Sequence, residues 1–454
     1  MSEQHLLKDF SPSSFEEWKK QIEKDLKGKP YDSLQSTTAE GINIDPAYHR
    51  QNTSIKPQPF KAMAKWDVVQ EMFVEDAKSA NKQALDHLNR GATSLLFYLY
   101  GDADLATLLE GIQIEYIRTN FVVEGDVMLL AKNLKQLIAN RGLKEIEIAG
   151  SINIDCLESI ARTGQWLESE EADFNRVQNL VEALPLNIRG LCINVNLFGN
   201  AGATATHQLG IALSMVYEYI HRLELKSTHP FWVNFAIGGD YFGEIAKLRA
   251  WRRLWAQLHT ELGLEETEAF IYAETGLRNK TIMDAYNNMI RTTSESMAAA
   301  IGGANEISVK GFNHTFKEPD FFGERIAKNQ QSILEHESHL REVSDISRGS
   351  YFIETLTEKM AQKGWEFFKE IENRGGYVET MKSGWLQQQV ETSAQAEQNA
   401  FDEKQKVLIG ANKHAKTDEN LQAIIEHGMF AASEKETQIK RIVPRRLAEG
   451  LEKA

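Results

Sequence analysis

The chain has 454 residues, of which 42% are hydrophobic, so it has room for one large domain with accessory segments or for two ordinary domains. Its formal net charge of −14 argues against a basic nucleic-acid-binding face, and its apolar runs are too short to cross a membrane. With two cysteines and no secretory signal pattern, the sequence predicts a cytoplasmic protein without nucleic-acid or membrane partners.

The first 60 residues predict an N-terminal arm rather than part of a core. A capping-box pattern at Ser14 and Glu17 predicts a short charged helix that runs to about Lys27. A polar, proline-containing segment follows this helix. We therefore expect residues 1–60 to stay loose or to lie on another surface, because such a segment cannot bury itself.

Residues 61–375 show apolar strands that alternate with long helices. An eighth strand is expected near Glu342–Ile346. Regular alternation over this length favours a closed (β/α)8 TIM-type barrel over an open doubly wound sheet. The other predicted strands are Ser94–Tyr100, Ile112–Ile117, Glu145–Ala149, Leu191–Asn196, Trp232–Ile237, Phe270–Ala273 and Ile307–Val309.

The helix that follows residue 240 predicts an amphipathic outer helix of the α/β layer. Its apolar stripe is separated from a set of cations that lie largely off it. The stripe consists of Ile245, Leu248, Trp255, Leu258 and Leu262, and the cations are Lys247, Arg249, Arg252 and Arg253.

Residues 376–454 predict a helical C-terminal extension. The segment is polar and helical to about residue 400, and a strand-like piece follows at Val407–Gly410. The basic pairs at 440–441 and 445–446 are interpreted as part of a solvated tail. This remainder is too short to form another α/β domain.

The residues by themselves identify no catalytic set. His336 and His339 have a spacing that metal sites use, but a solvated helix face is favoured because no third ligand is near in sequence. His207 is interpreted as a capping or core-edge residue, and Cys156 as an inert packing residue.

Six stretches, in order along the chain, together resemble the barrel domain of the methylmalonyl-CoA mutase family. They are TTAEGINIDPAY (37–48), FAIGGDYFGEIAKLRAWRRLWAQL (235–258), AYNNMIRTTSESMAAAIGG (285–303), RIAKNQQSILEHES (325–338), RGSYFIETLT (348–357) and KVLIGANKH (406–414). The resemblance implies a barrel whose axis is lined by small polar side chains, so that the pantetheine tail of coenzyme A threads through it. It also implies a radical rearrangement driven by adenosylcobalamin, which a separate domain with an Asp-x-His-x-x-Gly motif carries.

The chain departs from the family pattern at the positions that carry catalysis. Glu71 stands where catalytic members have a Tyr, and Leu197 and Ser308 stand where they have His residues. Thr163 aligns with their Arg, although Arg162 is adjacent and a one-residue slip would restore it. No Asp-x-His-x-x-Gly motif occurs in the 454 residues.

The resemblance therefore implies the small subunit of a heterodimeric methylmalonyl-CoA mutase, an isomerase subunit with no catalytic, cofactor-binding or metal-binding residues of its own. The large subunit is expected to carry adenosylcobalamin and to interconvert (R)-methylmalonyl-CoA and succinyl-CoA. Trp18 and Tyr48 on the arm are the candidate contacts with that subunit.

Two alternatives remain open at this point. One is an independent acyl-CoA mutase that works with a separate cobalamin-binding protein, in which Glu71 and Arg162 replace the lost residues. The other is a non-enzymatic barrel that binds coenzyme A esters.

Overall fold

A computed structural model describes residues 13–51, 53, 65–225, 229–416, 421, 425–426 and 436–453. In this part of the chain, parallel strands form one closed sheet of eight strands. The fifth strand consists of two segments, since Gly190 divides it into pieces that pair with different neighbours, so nine segments are present in all. The expected (β/α)8 barrel is thus confirmed. Its strands are β1 (Asp67–Val74), β2 (Ser94–Tyr100), β3 (Arg118–Glu124), β4 (Ala149–Asn153), β5 (Ile188–Arg189 and Leu191–Asn194), β6 (Phe231–Ile237), β7 (Ile271–Thr275) and β8 (Glu306–Ser308).

Three of the strand predictions were wrong. Ile112–Ile117 lies in turns before β3, and Glu145–Glu147 is a 3-10 turn that precedes β4. The segment 342–346 forms turns and bends, and the eighth strand is instead β1, which pairs with β8 and β2. The sequence does not reveal β1 as a buried strand, because Gln70 and Glu71 interrupt its apolar run.

Helices surround the sheet and extend past it at the C-terminal end. Their bounds are α1 (Phe15–Asp25), α2 (Ala77–Asn89), α3 (Leu105–Leu108), α4 (Val127–Asn140), α5 (Cys156–Thr163), α6 (Glu170–Ala183), α7 (Asn196–Ala201), α8 (Ala205–Arg222), α9 (Tyr241–Leu262), α10 (Asn287–Gly302), α11 (Phe321–His336), α12 (Tyr351–Asn373), α13 (Gly376–Lys382), α14 (Trp385–Asp402) and α15 (Glu449–Lys453). Aspartate or serine N-caps begin many of them, because these side chains accept hydrogen bonds from the free N–H groups of the first turn. None of the helices in the described residues is long and apolar enough to cross a membrane.

Helix α9 is not the amphipathic outer helix that its pattern predicts. It packs between the sheet and helices α8, α10 and α12, so most of its cations are buried. The Lys247 ammonium donates to the Ala236 carbonyl at 2.7 Å, and one Arg249 nitrogen lies 2.7 Å from a Glu354 oxygen. These partners lie on other elements of the fold. Helical periodicity alone therefore predicts, wrongly, that the cations are exposed to solvent.

The described part of the N-terminal arm lies on its own barrel. The predicted capping box at Ser14 and Glu17 is confirmed, and α1 ends at Asp25. Further along, the Glu40 carboxylate accepts a hydrogen bond from the Ala205 N–H at 3.2 Å, at the first turn of α8. Ile42 is 2% exposed, so this stretch of the arm contributes to the core.

Residues 436–453 pack on the barrel and do not form the predicted tail, although Lys440 and Arg445 are solvent-exposed as that prediction implied. Backbone N–H groups of Ile439, Ile442 and Leu447 donate to carbonyls of α5 and of the loop after β7. Arg446 is buried against the Glu452 carboxylate at 2.6 Å. The piece at 407–410 contains one isolated bridge, Ile409 with Lys413, instead of a strand. Residues 436–453 therefore form a strap across loops at the carboxyl end of the barrel.

Candidate functional site at the carboxyl end of the barrel

The amino-terminal half of the barrel interior is filled by large side chains. Successive residues of a strand point to opposite faces, so every second residue faces the barrel axis. The six side chains that meet there are each at most 4% exposed, and the Trp232 and Tyr272 ring centroids are 4.5 Å apart. We call this set the aromatic plug; it consists of Val69, Leu96, Cys192, Trp232, Phe270 and Tyr272.

A buried carboxylate fixes the plug in place. Glu306 accepts hydrogen bonds from the Ser94 hydroxyl at 2.5 Å, from the Asn120 amide at 2.8 Å and from the Trp232 indole N–H at 3.3 Å. Burial raises the pKa of the Glu306 carboxyl, while the nearby Arg118 guanidinium lowers it. The Arg118 side chain also lies 4.8 Å from the Phe270 ring centroid, where its charge faces the ring.

The upper half of the interior is polar and centres on Glu71. Its carboxylate accepts hydrogen bonds from the Ser308 hydroxyl and the Lys310 ammonium, both at 2.5 Å. It also accepts from the Tyr98 and Tyr272 hydroxyls, both at 3.1 Å. Burial alone raises the pKa of Glu71, but the charge of Lys310 and these hydrogen bonds outweigh it and lower the pKa to about 2. Glu71 is therefore an ionised, fully engaged carboxylate rather than a free general base.

The structure brings two of the four departing positions together. Ser308 bonds directly to Glu71, whereas Thr163 ends α5 and donates its hydroxyl to the Ser159 carbonyl at 2.7 Å. Leu197 is 6% exposed and belongs to the main hydrophobic core. Of the two residues on which the independent-mutase alternative depends, Glu71 bonds to Ser308 and Lys310, and Arg162 bonds to the Glu158 carboxylate at 2.9 Å.

The segment that contains Leu197, helix α7 and the residue after it, packs tightly against α14. Gly202, with φ of 104°, ends α7 in the left-handed region that favours glycine. A Cβ added there would lie 2.5 Å from the Ala394 Cβ of α14, and the Ser393 hydroxyl donates to the Gly202 carbonyl at 2.7 Å. Close packing against α14 therefore leaves no space for a side chain at position 202.

The candidate subunit contacts differ in exposure. Trp18 is 38% exposed, and its ring lies 5.4 Å from Phe15 and 6.1 Å from Tyr31. Tyr48 packs on its own chain, with its ring centroid 5.4 Å from that of Phe352. Trp18 is thus the more accessible of the two.

A cavity of about 730 Å³ opens above the plug, within the range of small-molecule sites. It lies over the carboxyl ends of β2 to β7 and is bounded by α5 and α6. The Asn196 and Asn234 amides donate to the Glu274 carboxylate at 2.9 and 3.4 Å. None of these three side chains was predicted as a site residue, although Asn234 and Glu274 place polar residues in otherwise apolar strands, and this interruption is a signal that the sequence offers.

Two further carboxyl groups line the cavity. Asp155 caps α5, and burial raises the pKa of its carboxyl to about 6 against the opposing effect of hydrogen bonds from Asn194 and Tyr219. Burial likewise raises the pKa of Glu158 to about 7. Carboxyl groups with shifted pKa values in a concave site are typical of functional sites, although structural ion pairs shift pKa values too.

The remaining candidate residues are structural or solvated. His207 packs against Phe367 with ring centroids 4.4 Å apart, and burial lowers its pKa to about 4, as fits a core-edge residue. Cys156 is buried, and burial raises the pKa of its thiol. His336 and His339 are exposed side chains, and no group of three metal-ligating residues occurs in the described part of the chain.

The chain is similar to methylmalonyl-CoA mutases over most of its length. The family model described as methylmalonyl-CoA mutase matches residues 99–453. A Porphyromonas gingivalis protein named methylmalonyl-CoA mutase small subunit is 33% identical over 90% of this chain and 71% of its own length. The small subunit of Streptomyces virginiae is 31% identical, covering 84% and 67% of the two chains. The human mitochondrial mutase is 26% identical, covering 88% and 60%.

Proposed function

Because the chain belongs to the methylmalonyl-CoA mutase family, we propose that it is the non-catalytic small subunit of a two-subunit mutase. It stabilises a catalytic large subunit that interconverts (R)-methylmalonyl-CoA and succinyl-CoA. The names of the Porphyromonas and Streptomyces relatives support the small-subunit assignment.

The aromatic plug is the observation that carries this proposal. A coenzyme A thioester that enters along a barrel axis needs a continuous channel for its pantetheine tail, and the family resemblance implies small polar side chains there. In this chain Trp232, Phe270 and Tyr272 are at most 2% exposed and fill that path. Opening it would leave a buried void, which costs several kcal/mol in a packed core.

The polar residues in the upper half of the barrel interior also do not fit catalysis. The Ser308 hydroxyl and the Lys310 ammonium both donate to Glu71, so the Ser308 proton is not directed at a thioester carbonyl and the ionised Glu71 has no proton to donate to one. The side chains that line the cavity include carboxylates, amides and arginines but no imidazole that could ligate a corrinoid. The cavity therefore does not fit a corrinoid, and we propose that the partner subunit binds adenosylcobalamin.

Co-expression with a large mutase subunit tests the proposal. We expect the two chains to co-purify, the complex to turn over methylmalonyl-CoA with adenosylcobalamin, and this chain alone to show no turnover. The matched control is the same complex with Glu71→Gln in this chain, which should keep its activity because Glu71 touches no substrate. Turnover by the isolated chain, or loss of turnover in that control despite intact association, would overturn the proposal.

The plug also weighs against a barrel that stores coenzyme A esters. Calorimetric titration of the isolated chain with methylmalonyl-CoA should detect no binding at the concentrations at which a catalytic subunit saturates. Tight binding would favour the storage function or an independent mutase.

A further inference from the structure

Glu274, on the floor of the cavity, is one of two neighbouring carboxylates that share a single ammonium group. Two carboxylates, Glu71 and Glu274, share the Lys310 ammonium, which lies 2.5 Å from the first and 3.7 Å from the second. The amides of Asn196 and Asn234 donate to Glu274 but bring no charge. Because buried charges in proteins are normally paired, this floor favours a positively charged group beside Glu274.

Two acceptor atoms beside Glu274 also lack a donor. The Oδ1 atoms of Asn196 and Asn234 are buried without a hydrogen-bond partner in the described part of the chain, and both residues line the cavity. Asn234 is only 4% exposed. Since buried polar atoms are almost always hydrogen-bonded, these two oxygens indicate a missing donor-rich group.

The walls supply a surface suited to a cation with an apolar body. The rings of Phe73, Tyr98 and Tyr100 line the cavity and are at least partly exposed, unlike the plug rings beneath them, and aromatic faces attract ammonium groups. Higher up, Val122 and Ile154 offer apolar contact. Two arginines line the cavity, and both are engaged with the protein: Arg176 on α6 donates to the Gly125 carbonyl at 2.5 Å, and Arg162 on α5 bonds to the Glu158 carboxylate at 2.9 Å.

We propose that this cavity binds a small organic cation, a protonated primary amine with an aromatic or aliphatic body, whose ammonium group lies against Glu274, Asn196 and Asn234. The ammonium donates to the two amide oxygens and to the carboxylate, and the body packs on the ring surfaces. This inference goes beyond the proposed function, since it holds for this barrel with or without a partner subunit.

Calorimetric titration of the full chain with three probes of the same shape tests the proposal. The probes are 2-phenylethylammonium, 2-phenylethanol and 3-phenylpropionate. We expect the ammonium to bind about tenfold or more tightly than the alcohol, equivalent to about 1.4 kcal/mol, and the carboxylate to bind most weakly. Equal affinities, a preference for the carboxylate, or no binding of the ammonium at millimolar concentration would overturn the proposal.

Variants locate the site. Glu274→Gln should weaken ammonium binding about tenfold and leave alcohol binding unchanged, because it removes the charge and keeps the shape. The matched control is Glu124→Gln, an exposed carboxylate at the rim of the same cavity, which should change neither affinity. If Glu274→Gln does not fold, Ser159→Trp at the cavity wall replaces it, and unchanged ammonium binding there would place the amine elsewhere. None of these measurements uses mutase activity, so they fail or succeed independently of the proposed function.

Discussion

The two halves of the barrel interior are built on the same strands but follow different physical rules. The amino-terminal half is a packed aromatic plug in which one carboxylate, Glu306, is held by three neutral donors. The carboxyl-terminal half keeps ionised groups, a shared Lys310 and a cavity of about 730 Å³. One end of this barrel is therefore packed shut, whereas the other end leaves space that a ligand could enter.

The two halves also differ in how their charged side chains are paired. In the lower half, Arg118 bonds to Asp67 at 3.1 Å and lies over Phe270, so carboxylates and guanidinium groups are interleaved. In the upper half, two carboxylates face one ammonium. A mutation that truncates a large side chain should therefore destabilise the protein most in the amino-terminal half. A mutation that removes a charge should destabilise it most in the carboxyl-terminal half.

The largest expected effect is that of Trp232→Ala in the plug. Truncating a buried Trp typically costs about 3–5 kcal/mol, and Glu306 would also lose a donor, which adds about 1 kcal/mol. Urea denaturation of the isolated chain, followed by far-UV circular dichroism, measures the loss. Trp18→Ala is the matched control, because Trp18 is 38% exposed, and it should change the free energy of unfolding by less than about 1 kcal/mol. Similar losses for both variants would contradict the assignment of Trp232 to a packed plug.

Lys310→Met in the upper half should also lower the free energy of unfolding, but by less than Trp232→Ala. Removing one partner of a buried ion pair typically costs about 3–5 kcal/mol, because the carboxylates of Glu71 and Glu274 are left facing each other. The same denaturation experiment checks it. Lys440→Met is the control, since its pair with Glu391 is half exposed and such pairs contribute about 0–1 kcal/mol. Adding Glu71→Gln to Lys310→Met should restore part of the stability, and a further loss in the double variant would argue against the shared-cation arrangement.

Much of the fold was predictable from the sequence, because β2 and β6 are long apolar runs with helices after them. Strand β1 was not, since Glu71 is stabilised in the interior by Lys310, 239 residues later in the chain. The buried cations of α9 escaped prediction for the same reason: Arg249 finds Glu354 on another helix. Periodicity reports which residues avoid water, and it cannot report a charged residue whose partner comes from a distant element.

The candidate site was predictable only in part. Comparison with the family pattern identified Glu71 and Ser308 as changed positions, but the hydrogen bond between them depends on the pairing of β1 with β8. The cavity residues Asn196 and Asn234 lie on different elements and converge only when the barrel closes. Local sequence determines the strands, and closure of the barrel determines which polar side chains meet.

The smallest of these effects is a pH dependence that belongs to the upper half. Burial raises the folded-state pKa of Asp155 to about 6 from an ordinary value of 3.8, so folding favours its protonated form. The stability that this group contributes is complete below about pH 4 and is lost as pH rises through about 6, which amounts to about 3 kcal/mol. Urea denaturation between pH 4 and 7.5 should show a shallower decline in the free energy of unfolding for Asp155→Asn than for wild type, and the raised pKa of Glu158 accounts for the decline that remains. The control is Asp126→Asn, which caps α4 with the same two hydrogen bonds from an exposed position and should keep the wild-type slope. If Asp155→Asn kept the full wild-type slope, Asp155 would not contribute to the pH dependence of the free energy of unfolding. The proposed destabilising burial of its ionised carboxylate at the cavity wall would then be refuted.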